Sequence, residues 1–479
     1  MDFSALPTTA FIHPDGDNRE AIATLLHQVV DLLIKTMSQA TERSPLPETL
    51  NLENWCDISK QSIDSEQLLE QVQAQITHSM NAAHPGYIGH MDSIPTTMSI
   101  IGDLVVAAIN NNMLSVEMSP VFSRLEALVL QQMAQLFGLG PQANGVLVSG
   151  GSLANLQALI VARNIAFDSL ENGITQGYKP VFFVSEVAHT SFKKAAMVMG
   201  LGTKAAIPIK TNKNSQIDIN DLTAKIAKAQ TDGQQPFAIV ATAGTTVTGN
   251  IDPIPAMAEI AQTHRLWFHV DAAYGGAVML TEQHRHKLTG IELANSVTFN
   301  PQKWLYVAKT SAIVMFRQFD LLKHHFRVLA PYMHEHDDWP NLGELTVQGT
   351  RHPDILKLWL SLQHISRIGY SAIIDHNYVL TKIFTDAVKA RAFLNLASEP
   401  QMNLICFRAE PTEIPTDEWD SWNHGLQTWL LKKGNTFLSL PVYRGQRWLK
   451  AVLLNPFTTI NHIHALFEHI DQYYALHED

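Results

Sequence analysis

Short runs of apolar residues recur through the middle of this chain and constrain its fold more than any other feature. They occupy residues 145–149, 181–184, 205–209, 237–242, 266–270, 296–299 and 311–316. Because the runs are continuously apolar rather than alternating, they predict strands that are buried on both faces. Helical patterns or loops separate most of them, which predicts an α/β core with helices on each side of the sheet. The last two runs lie closer together, and we expect that pair to be antiparallel.

Two chemically distinctive residues follow these runs, at the edge where open α/β sheets bind ligands. Asp271 directly follows the run 266–270, and Lys303 follows the run 296–299 in the string Asn300-Pro301-Gln302-Lys303-Trp304. A lysine amine forms a Schiff base with the aldehyde of pyridoxal phosphate (PLP), and a carboxylate pairs with the cofactor's pyridine nitrogen and keeps it protonated. Each residue by itself would be an ordinary surface lysine or helix cap. The ordered pair predicts a PLP enzyme.

Three further segments complete the predicted site. Gly150-Gly151-Ser152-Leu153-Ala154-Asn155 follows a short strand and opens a helical pattern, so its backbone N–H groups are suited to a phosphate. The segment lacks the third glycine of the dinucleotide-binding pattern. His189 follows the run 181–184, where a flat ring would cover one face of the cofactor. Ala241-Thr242-Ala243-Gly244-Thr245-Thr246 places hydroxyl groups after another strand.

These residues, in this order, resemble the group II PLP-dependent amino-acid decarboxylases, which include the glutamate, aromatic-L-amino-acid, histidine, cysteine-sulfinate and diaminobutyrate decarboxylases. The resemblance runs from about His84 to about Trp359 and extends more loosely to both termini. Its motifs are Gly150-Gly151-Ser152 with Ala154-Asn155, His189-Thr190-Ser191, Gly244-Thr245-Thr246 with Asp252, Asp271-Ala272-Ala273, and Asn300-Pro301-Gln302-Lys303-Trp304. The chain departs from the family at Gln302, where histidine is usual, and glutamine cannot take up a proton.

The resemblance implies the α/β fold of PLP-dependent transferases, fold type I (the aspartate aminotransferase fold), with a mostly parallel seven-stranded sheet. It implies an N-terminal helical dimerisation segment at residues 1–85, a large PLP-binding α/β domain at 86–365 and a small C-terminal α+β domain at 366–479. The N-terminal part carries two amphipathic helical patterns, one after Asn18 and one over Ser65 to Met80, with no partner sheet. We expect a homodimer in which these helices pack on the second subunit, as in the family.

The resemblance also implies α-decarboxylation of an L-amino acid to the amine and carbon dioxide. The catalytic residues would be Lys303, His189, Asp271 and Tyr332, and the cofactor-binding residues would be Gly151, Ser152, His189, Thr246, Asp271, Ala273, Asn300 and Lys303. Tyr332 matches a mobile-loop tyrosine that donates a proton, and phenylalanine there would favour an aldehyde product. Arg351 matches the arginine that grips the substrate carboxylate, and His90 and Ser93 lie in the segment that recognises the substrate.

The substrate class stays open at this point. His90 and Met91, residues 111–122 and Asn455-Pro456 lean toward the glutamate, aspartate or diaminobutyrate branch, whereas Lys303-Trp304-Leu305 leans toward the aromatic branch. One alternative function is another fold type I reaction: transamination, aldol cleavage or decarboxylating amine oxidation. A second is an inactive PLP-binding paralogue. Tyr332 and the string around Lys303 argue against the first, and the intact motif residues argue against the second.

Composition narrows the partners, metals and cellular compartment that we expect for this chain. A net charge of −11 over 479 residues argues against a nucleic-acid partner. Cys56 and Cys406 are the two cysteines, and they encode neither a disulfide framework nor a zinc knuckle. The histidines show no metal-binding pattern, so no metal is expected. We find no signal peptide in residues 1–18 and no run of about 18 apolar residues, and therefore expect a cytoplasmic protein without a membrane span.

Overall fold

The computed structural model describes residues 6–175, 177–329, 333 and 339–477. Its α-helices are α1 (Arg19–Ser38), α2 (Ser65–Thr77), α3 (Thr97–Ile109), α4 (Pro120–Leu136), α5 (Gly151–Phe167), α6 (Ser191–Val198), α7 (Ile219–Thr231), α8 (Ile254–His264), α9 (Leu321–His325), α10 (Ile355–Lys389), α11 (Trp419–Lys433) and α12 (Ile460–Ala475). Its strands are β1 (Asn144–Val148), β2 (Pro180–Ser185), β3 (Ala206–Ile209), β4 (Gln235–Thr242), β5 (Trp267–Asp271), β6 (Ser296–Phe299), β7 (Ala312–Phe316), β8 (Leu394–Leu396), β9 (Leu404–Ala409), β10 (Val442–Tyr443), β11 (Gln446–Arg447) and β12 (Leu449–Val452).

A seven-stranded sheet forms the core, in the order β1-β7-β6-β5-β4-β2-β3. β7 runs antiparallel to both β1 and β6, and the remaining pairs are parallel. All residues of β2, β5, β6 and β7 are buried, because helices cover both faces of the sheet. The structure confirms the predicted α/β class with a mostly parallel sheet, including the antiparallel pairing of the last two runs.

The chain divides into two compact units. One comprises Met1–Gly89, Gly425–Leu438 and Asn455–Asp479, and the other comprises His90–His424 and Ser439–Leu454. The second unit holds the seven-stranded sheet and the antiparallel sheet β12-β9-β8. In the first unit, Asn455 Nδ2 donates hydrogen bonds to the carbonyls of Ala82 (3.1 Å) and His84 (2.8 Å). The three-part division with boundaries at residues 85 and 365 stays a prediction.

Helix α1 has an apolar stripe but no buried residue. Asn18 precedes it, as predicted, yet the Asn18 amide donates to the carbonyls of Thr8 (2.6 Å) and Phe11 (2.7 Å) and does not cap the helix. The exposed apolar side chains of α1 are Leu26, Val30, Leu33, Ile34 and Met37. Among the described residues, α1 is the one helix whose length and composition would suit a membrane span, a test that the core helix of a soluble protein and a signal sequence also pass.

Helix α10 contacts the segment that follows β6. It is bent at Ser366, whose φ of 64° is not helical, so two helical segments join there. Asn377 on α10 accepts a hydrogen bond from Trp304 Nε1 at 2.8 Å. Tyr274 stacks on the Trp304 indole with ring centroids 5.0 Å apart. The residue next to Lys303 is therefore fixed from two sides.

Candidate active site

A cavity of about 410 Å³ lies beyond the carboxyl ends of the parallel strands. The pairing of neighbouring strands brings the residues at the bottom of the cavity together, because Thr242 pairs with Asp271 and Asp271 pairs with Thr298. The lining residues are Ser149, Gly150, Gly151, Ser152, Leu153, Asn155, His189, Thr242, Gly244, Thr246, Asp271, Ala273, Tyr274, Asn300, Gln302 and Lys303. This is the edge of an α/β sheet at which ligands bind.

Asp271 is a buried carboxylate with two fixed hydrogen bonds. Its Oδ1 accepts from the Ala273 N–H at 3.1 Å, and its Oδ2 accepts from Asn155 Nδ2 at 3.0 Å. Behind Asn155 lies His269, whose Nε2 is 3.1 Å from Asn155 Oδ1. Burial lowers the pKa of His269 to about 4, so the ring is neutral at neutral pH. The carboxylate is thereby held in one orientation at the bottom of the cavity.

Lys303 lies in the turn after β6, with its amine toward the same cavity. Ser93 Oγ donates a hydrogen bond to the Lys303 carbonyl at 3.2 Å. Burial lowers the pKa of the Lys303 amine, whereas Asp271 and Asp92 raise it. A lowered pKa increases the fraction of neutral amine, and the neutral amine is the form that attacks an aldehyde.

The glycine turn ends against Asn300. A Cβ on Gly151 would lie 2.8 Å from Asn300 Nδ2, so a larger residue would push this side chain aside. Gly151 begins α5, and the first N–H groups of a helix have no partner within it. Asn300 Oδ1 and Thr242 Oγ1 are also buried without a hydrogen-bond partner among the described residues. Such groups call for a polar ligand.

His189 projects from the segment between β2 and α6. Its Nδ1 accepts a hydrogen bond from the Ser191 N–H at 3.2 Å, which leaves Nε2 as the protonated nitrogen of the neutral ring. Burial lowers the pKa of His189, Asp271 raises it, and Lys303 lowers it further. The ring is therefore a neutral flat surface beside Asp271 and Lys303.

All eight residues predicted to bind the cofactor line this one cavity: Gly151, Ser152, His189, Thr246, Asp271, Ala273, Asn300 and Lys303. Ser93 touches the backbone of Lys303 from outside the lining. Burial lowers the pKa of His90, and Lys450 lowers it further. His90 is not among the residues that line the cavity. Tyr332, predicted to be catalytic, lies outside the described residues.

The structure places Arg351 away from this cavity. Its Nη1 lies 3.0 and 3.2 Å from the two carboxylate oxygens of Glu126 and donates to the Leu147 carbonyl at 2.8 Å. Arg351 is 6% exposed and Glu126 is fully buried. Burial raises the pKa of Glu126, and Arg351 lowers it. The Nε and Nη2 of Arg351 are buried without a hydrogen-bond partner among the described residues, and its contact with the substrate carboxylate stays a prediction.

A group of titratable side chains that could be taken for metal ligands lies outside the cavity. Asp103, His352 and Asp354 bring their ligand atoms close to one another. The Lys357 ammonium is 3.2 Å from Asp103 and 2.8 Å from Asp354. Lysine already supplies the positive charge that a metal ion would supply, so this group is a network of ion pairs.

The donors and acceptors of the cavity fit PLP. A helix N-terminus suits the phosphate, the fixed Asp271 carboxylate suits the pyridine nitrogen, and the Lys303 amine suits the aldehyde. The neutral His189 ring suits a flat π system. Fold and site together define an enzyme of the PLP-dependent fold type I class.

Known proteins agree with this class and narrow it. Residues 47–410 match the model of the pyridoxal-dependent decarboxylase conserved domain. Cysteine sulfinic acid decarboxylase from Rattus norvegicus is 32% identical over 417 residues, which cover 84% of this chain and 83% of the relative. The chain belongs to the pyridoxal-dependent decarboxylase family, and it is a PLP-dependent amino-acid decarboxylase. This is the family that the sequence motifs predicted.

Two crystal structures show how far the similarity extends. Mouse CSAD in its apo form has a TM-score of 0.89 and 28% identity, covering 95% of this chain and 99% of that one. The second contains the glutamate decarboxylase domain of a diaminobutyrate-pyruvate transaminase and L-2,4-diaminobutyrate decarboxylase from Vibrio parahaemolyticus. Its TM-score is 0.85 with 25% identity, covering 98% of each chain.

Sequence reasoning missed the residues behind the cavity wall. His269 lies within the apolar run 266–270 and was given no role, yet its Nε2 is 3.1 Å from Asn155 Oδ1. Gln348 accepts a hydrogen bond from the Ser149 N–H at 3.0 Å and so reaches the glycine turn. A polar residue inside an otherwise apolar strand, as at His269, is the one signal that would have pointed to such a role.

Proposed function

We propose that this chain carries out the α-decarboxylation of an L-amino acid in the cavity that joins Lys303, Asp271 and His189. The single observation that carries the proposal is the convergence of these three side chains from separate strand ends on one cavity. PLP, when bound, supplies an electron sink for the bond between Cα and the carboxylate. The protein's residues bind and orient the reactants, exclude water and control the protons.

Asp271 would keep the pyridine nitrogen protonated. Its two hydrogen-bond donors, Asn155 and the Ala273 N–H, stabilise the charged carboxylate and leave it one orientation. His189 would cover one face of the pyridine ring, and the hydrogen bond from the Ser191 N–H fixes the orientation of its imidazole. The phosphate and the other oxygen atoms of PLP would be bound by Gly151, Ser152, Thr246 and Asn300.

Lys303 would carry the cofactor between turnovers. Burial lowers the pKa of its amine, which increases the fraction of the neutral, nucleophilic form. Tyr332 would return the proton to Cα, and Arg351 would bind the substrate carboxylate through Nε and Nη2, which have no hydrogen-bond partner among the described residues. His90 and Ser93 would border the substrate side chain.

Exposed apolar surfaces support the proposal of a homodimer. The face formed by α3 exposes Ile100, Ile101, Leu104 and Val105, and a separate groove of about 420 Å³ is lined largely by apolar residues of α4 and α10. Contiguous apolar surface exposed on a folded chain marks protein contacts. We propose that a second copy covers them, that α1 packs in the same dimer rather than in a membrane, and that the enzyme is cytoplasmic, in keeping with two free cysteines.

The decisive experiment measures carbon dioxide release by the PLP-loaded protein from a panel of acidic, diamino and aromatic amino acids, with the amine products identified by mass spectrometry. We expect one amine in equal amount to the carbon dioxide. A keto acid product would indicate transamination, an aldehyde would indicate amine oxidation, and no turnover with any amino acid would indicate an inactive paralogue.

A further inference from the structure

A further cavity, of about 680 Å³, lies at the amino ends of strands β2, β3 and β4. Its lining includes Pro180 and Val181 at the start of β2, Ala205 just before β3, and Gln234 just before β4. These three strands are parallel, and the active-site cavity lies beyond the carboxyl ends of the same sheet. No described residue lines both cavities. We call this one the distal cavity, because it lies at the opposite edge of the sheet.

Three positively charged side chains line the distal cavity. Arg163 comes from α5, Lys179 directly precedes β2, and Lys204 lies between α6 and β3. No aspartate or glutamate is present among the described lining residues, although acidic residues outnumber Lys and Arg by 45 to 34 in the whole chain. Within the described part of the chain, none of the three cations forms an ion pair. A concave surface lined by one sign of charge concentrates ions of the opposite sign.

The Arg163 guanidinium is half-buried and has a fixed orientation. Its Nε and Nη2 donate to Asn164 Oδ1 at 3.1 and 2.8 Å. Its Nη1 donates no hydrogen bond to a described residue. Burial lowers the pKa of Arg163, and no acidic neighbour raises it again. Arginine stays protonated nevertheless, so this side of the cavity carries a positive charge that the protein does not balance.

Helices α5 and α6 connect the distal cavity with the cofactor site. Helix α5 begins in the glycine turn of the active-site cavity and carries Arg163 near its other end. Helix α6 begins two residues after His189 and ends at Met199, which lines the distal cavity. At the active-site end, Asn155 Nδ2 lies within hydrogen-bond distance of both Ser191 Oγ (3.1 Å) and Asp271 Oδ2 (3.0 Å). A displacement of either helix at its far end is therefore transmitted to the groups that hold the cofactor.

We propose that the distal cavity is a regulatory site for a small anion with two or more phosphate or carboxylate groups. Three cations on three separate elements match a ligand with several negative charges, and the volume lies within the range of small-molecule sites. Because α5 and α6 join the two sites, the bound anion changes the rate at which PLP dissociates. The inference goes beyond the proposed function, since it depends on cofactor binding and not on a particular amino-acid substrate.

The first test is calorimetric titration of the PLP-loaded protein with inorganic pyrophosphate and with citrate, at constant ionic strength. Bound PLP keeps the cofactor's own phosphate site filled. We expect one saturable site per chain, with inorganic phosphate binding more weakly than pyrophosphate. The double variant Lys179→Gln/Lys204→Gln should weaken binding about 10- to 100-fold. Lys432→Gln/Lys433→Gln removes two exposed lysines from the end of α11, changes the net charge equally, and should leave the affinity unchanged.

The second test measures the PLP dissociation rate by absorbance after dilution, with and without pyrophosphate. We expect a several-fold change in the wild-type protein and none in Lys179→Gln/Lys204→Gln. An anion that merely occupies the emptied cofactor site does not alter this rate, because it binds only after PLP has left. The comparison therefore reports on the distal cavity alone.

Each outcome supports or overturns a stated part of the inference. If neither pyrophosphate nor citrate binds saturably, or if both bind equally well to wild type and Lys179→Gln/Lys204→Gln, the site is overturned. Binding that leaves the PLP dissociation rate unchanged overturns the regulatory role. Binding of only one of the two anions supports the site and assigns the ligand to phosphates or to carboxylates. Failure of every amino acid to release carbon dioxide would overturn the proposed function and would affect neither measurement.

Discussion

Asn155 donates a hydrogen bond from its Nδ2 to Asp271 Oδ2 at 3.0 Å. Its Oδ1 must then be an acceptor, and it lies 3.1 Å from His269 Nε2. Ser296 Oγ accepts from Trp267 Nε1 at 2.8 Å and lies 2.9 Å from His269 Nδ1, so the Ser296 hydroxyl can donate to Nδ1. The directions agree along the chain from Trp267 to Asp271. These directions assign the proton of the neutral His269 ring to Nε2. Each hydrogen bond of the series is then donated toward the Asp271 carboxylate.

Asn155→Leu tests this chain, because leucine has a similar volume but neither donates nor accepts. We expect PLP affinity and kcat each to fall about 10- to 100-fold, since Asp271 loses a charge-assisted hydrogen bond and His269 loses its acceptor. PLP affinity is measured by absorbance titration of the apoenzyme. The control is Asn423→Leu, which removes a buried asparagine that bonds to the Ala409 backbone outside the cavity. Equal PLP affinity in Asn155→Leu and wild type would contradict the assignment.

His269 should make the protein sensitive to acid. Its pKa is about 4 in the folded chain, whereas an ordinary histidine side chain has a pKa of 6.5, so the unfolded chain binds more protons between these two pH values. The free energy of unfolding therefore falls as pH drops from 6.5 to 4, by roughly 3 kcal/mol from this residue. In His269→Gln, the shift of the urea midpoint between pH 7 and pH 5 should be smaller than in wild type. His464→Gln, an exposed histidine on α12, should leave that shift unchanged.

Lys303→Ala should abolish covalent attachment of the cofactor. Wild type treated with PLP and borohydride should carry one reduced adduct, and peptide mass spectrometry should place it on Lys303. Lys450 Nζ donates to the carbonyl of the cavity-lining residue Thr246 at 3.4 Å, and Lys309 pairs with Asp92, the neighbour of Ser93, whose hydroxyl donates to the Lys303 carbonyl. Because both lysines lie near Lys303, Lys450→Ala and Lys309→Ala are informative controls that should keep the adduct. Attachment to either of these lysines in the wild-type protein would show that Lys303 is not the reactive amine.

The positions of the seven strands and of the cofactor residues were predictable because both depend on local pattern. Continuous apolar runs mark strands that are buried on both faces, and polar residues at their ends meet at one edge of the sheet. Asp271 and Lys303 could therefore be placed together before the structure was known. The antiparallel β6–β7 pair was predictable from its short connection.

Contacts between segments far apart in the chain were not predictable. Arg351 and Glu126 are separated by 225 positions, and no local pattern tells that their charges pair in the interior. The Asp92–Lys309 pair spans 217 positions and could not be predicted for the same reason. Periodicity reports which face of an element is buried, but it does not report which distant side chain lies opposite.

Leu104→Glu should disrupt the dimer. Leu104 is 54% exposed in the apolar face of α3, and a buried glutamate without a partner carries a large desolvation cost. We expect the mass from light scattering at micromolar concentration to fall from that of a dimer toward that of a monomer, with a matching loss of activity. Val442→Glu changes a residue that is 66% exposed in the β10–β11 hairpin and should leave the mass unchanged. A monomeric wild-type enzyme with full activity would rule out the dimer.

Tyr332→Phe tests the proton donor that the sequence motif predicts. Removing the hydroxyl keeps the ring, so we expect a substrate KM close to that of wild type and a slower return of the proton to Cα after carbon dioxide has left. The carbanion would then persist and react with oxygen, and part of the product should change from amine to aldehyde with release of ammonia. Product ratios under air and under nitrogen measure this directly, because only the aldehyde pathway consumes oxygen. Amine formation at the wild-type rate in both atmospheres would assign the proton to another group, and His189, whose Nε2–H faces the same cavity, would be the next residue to replace.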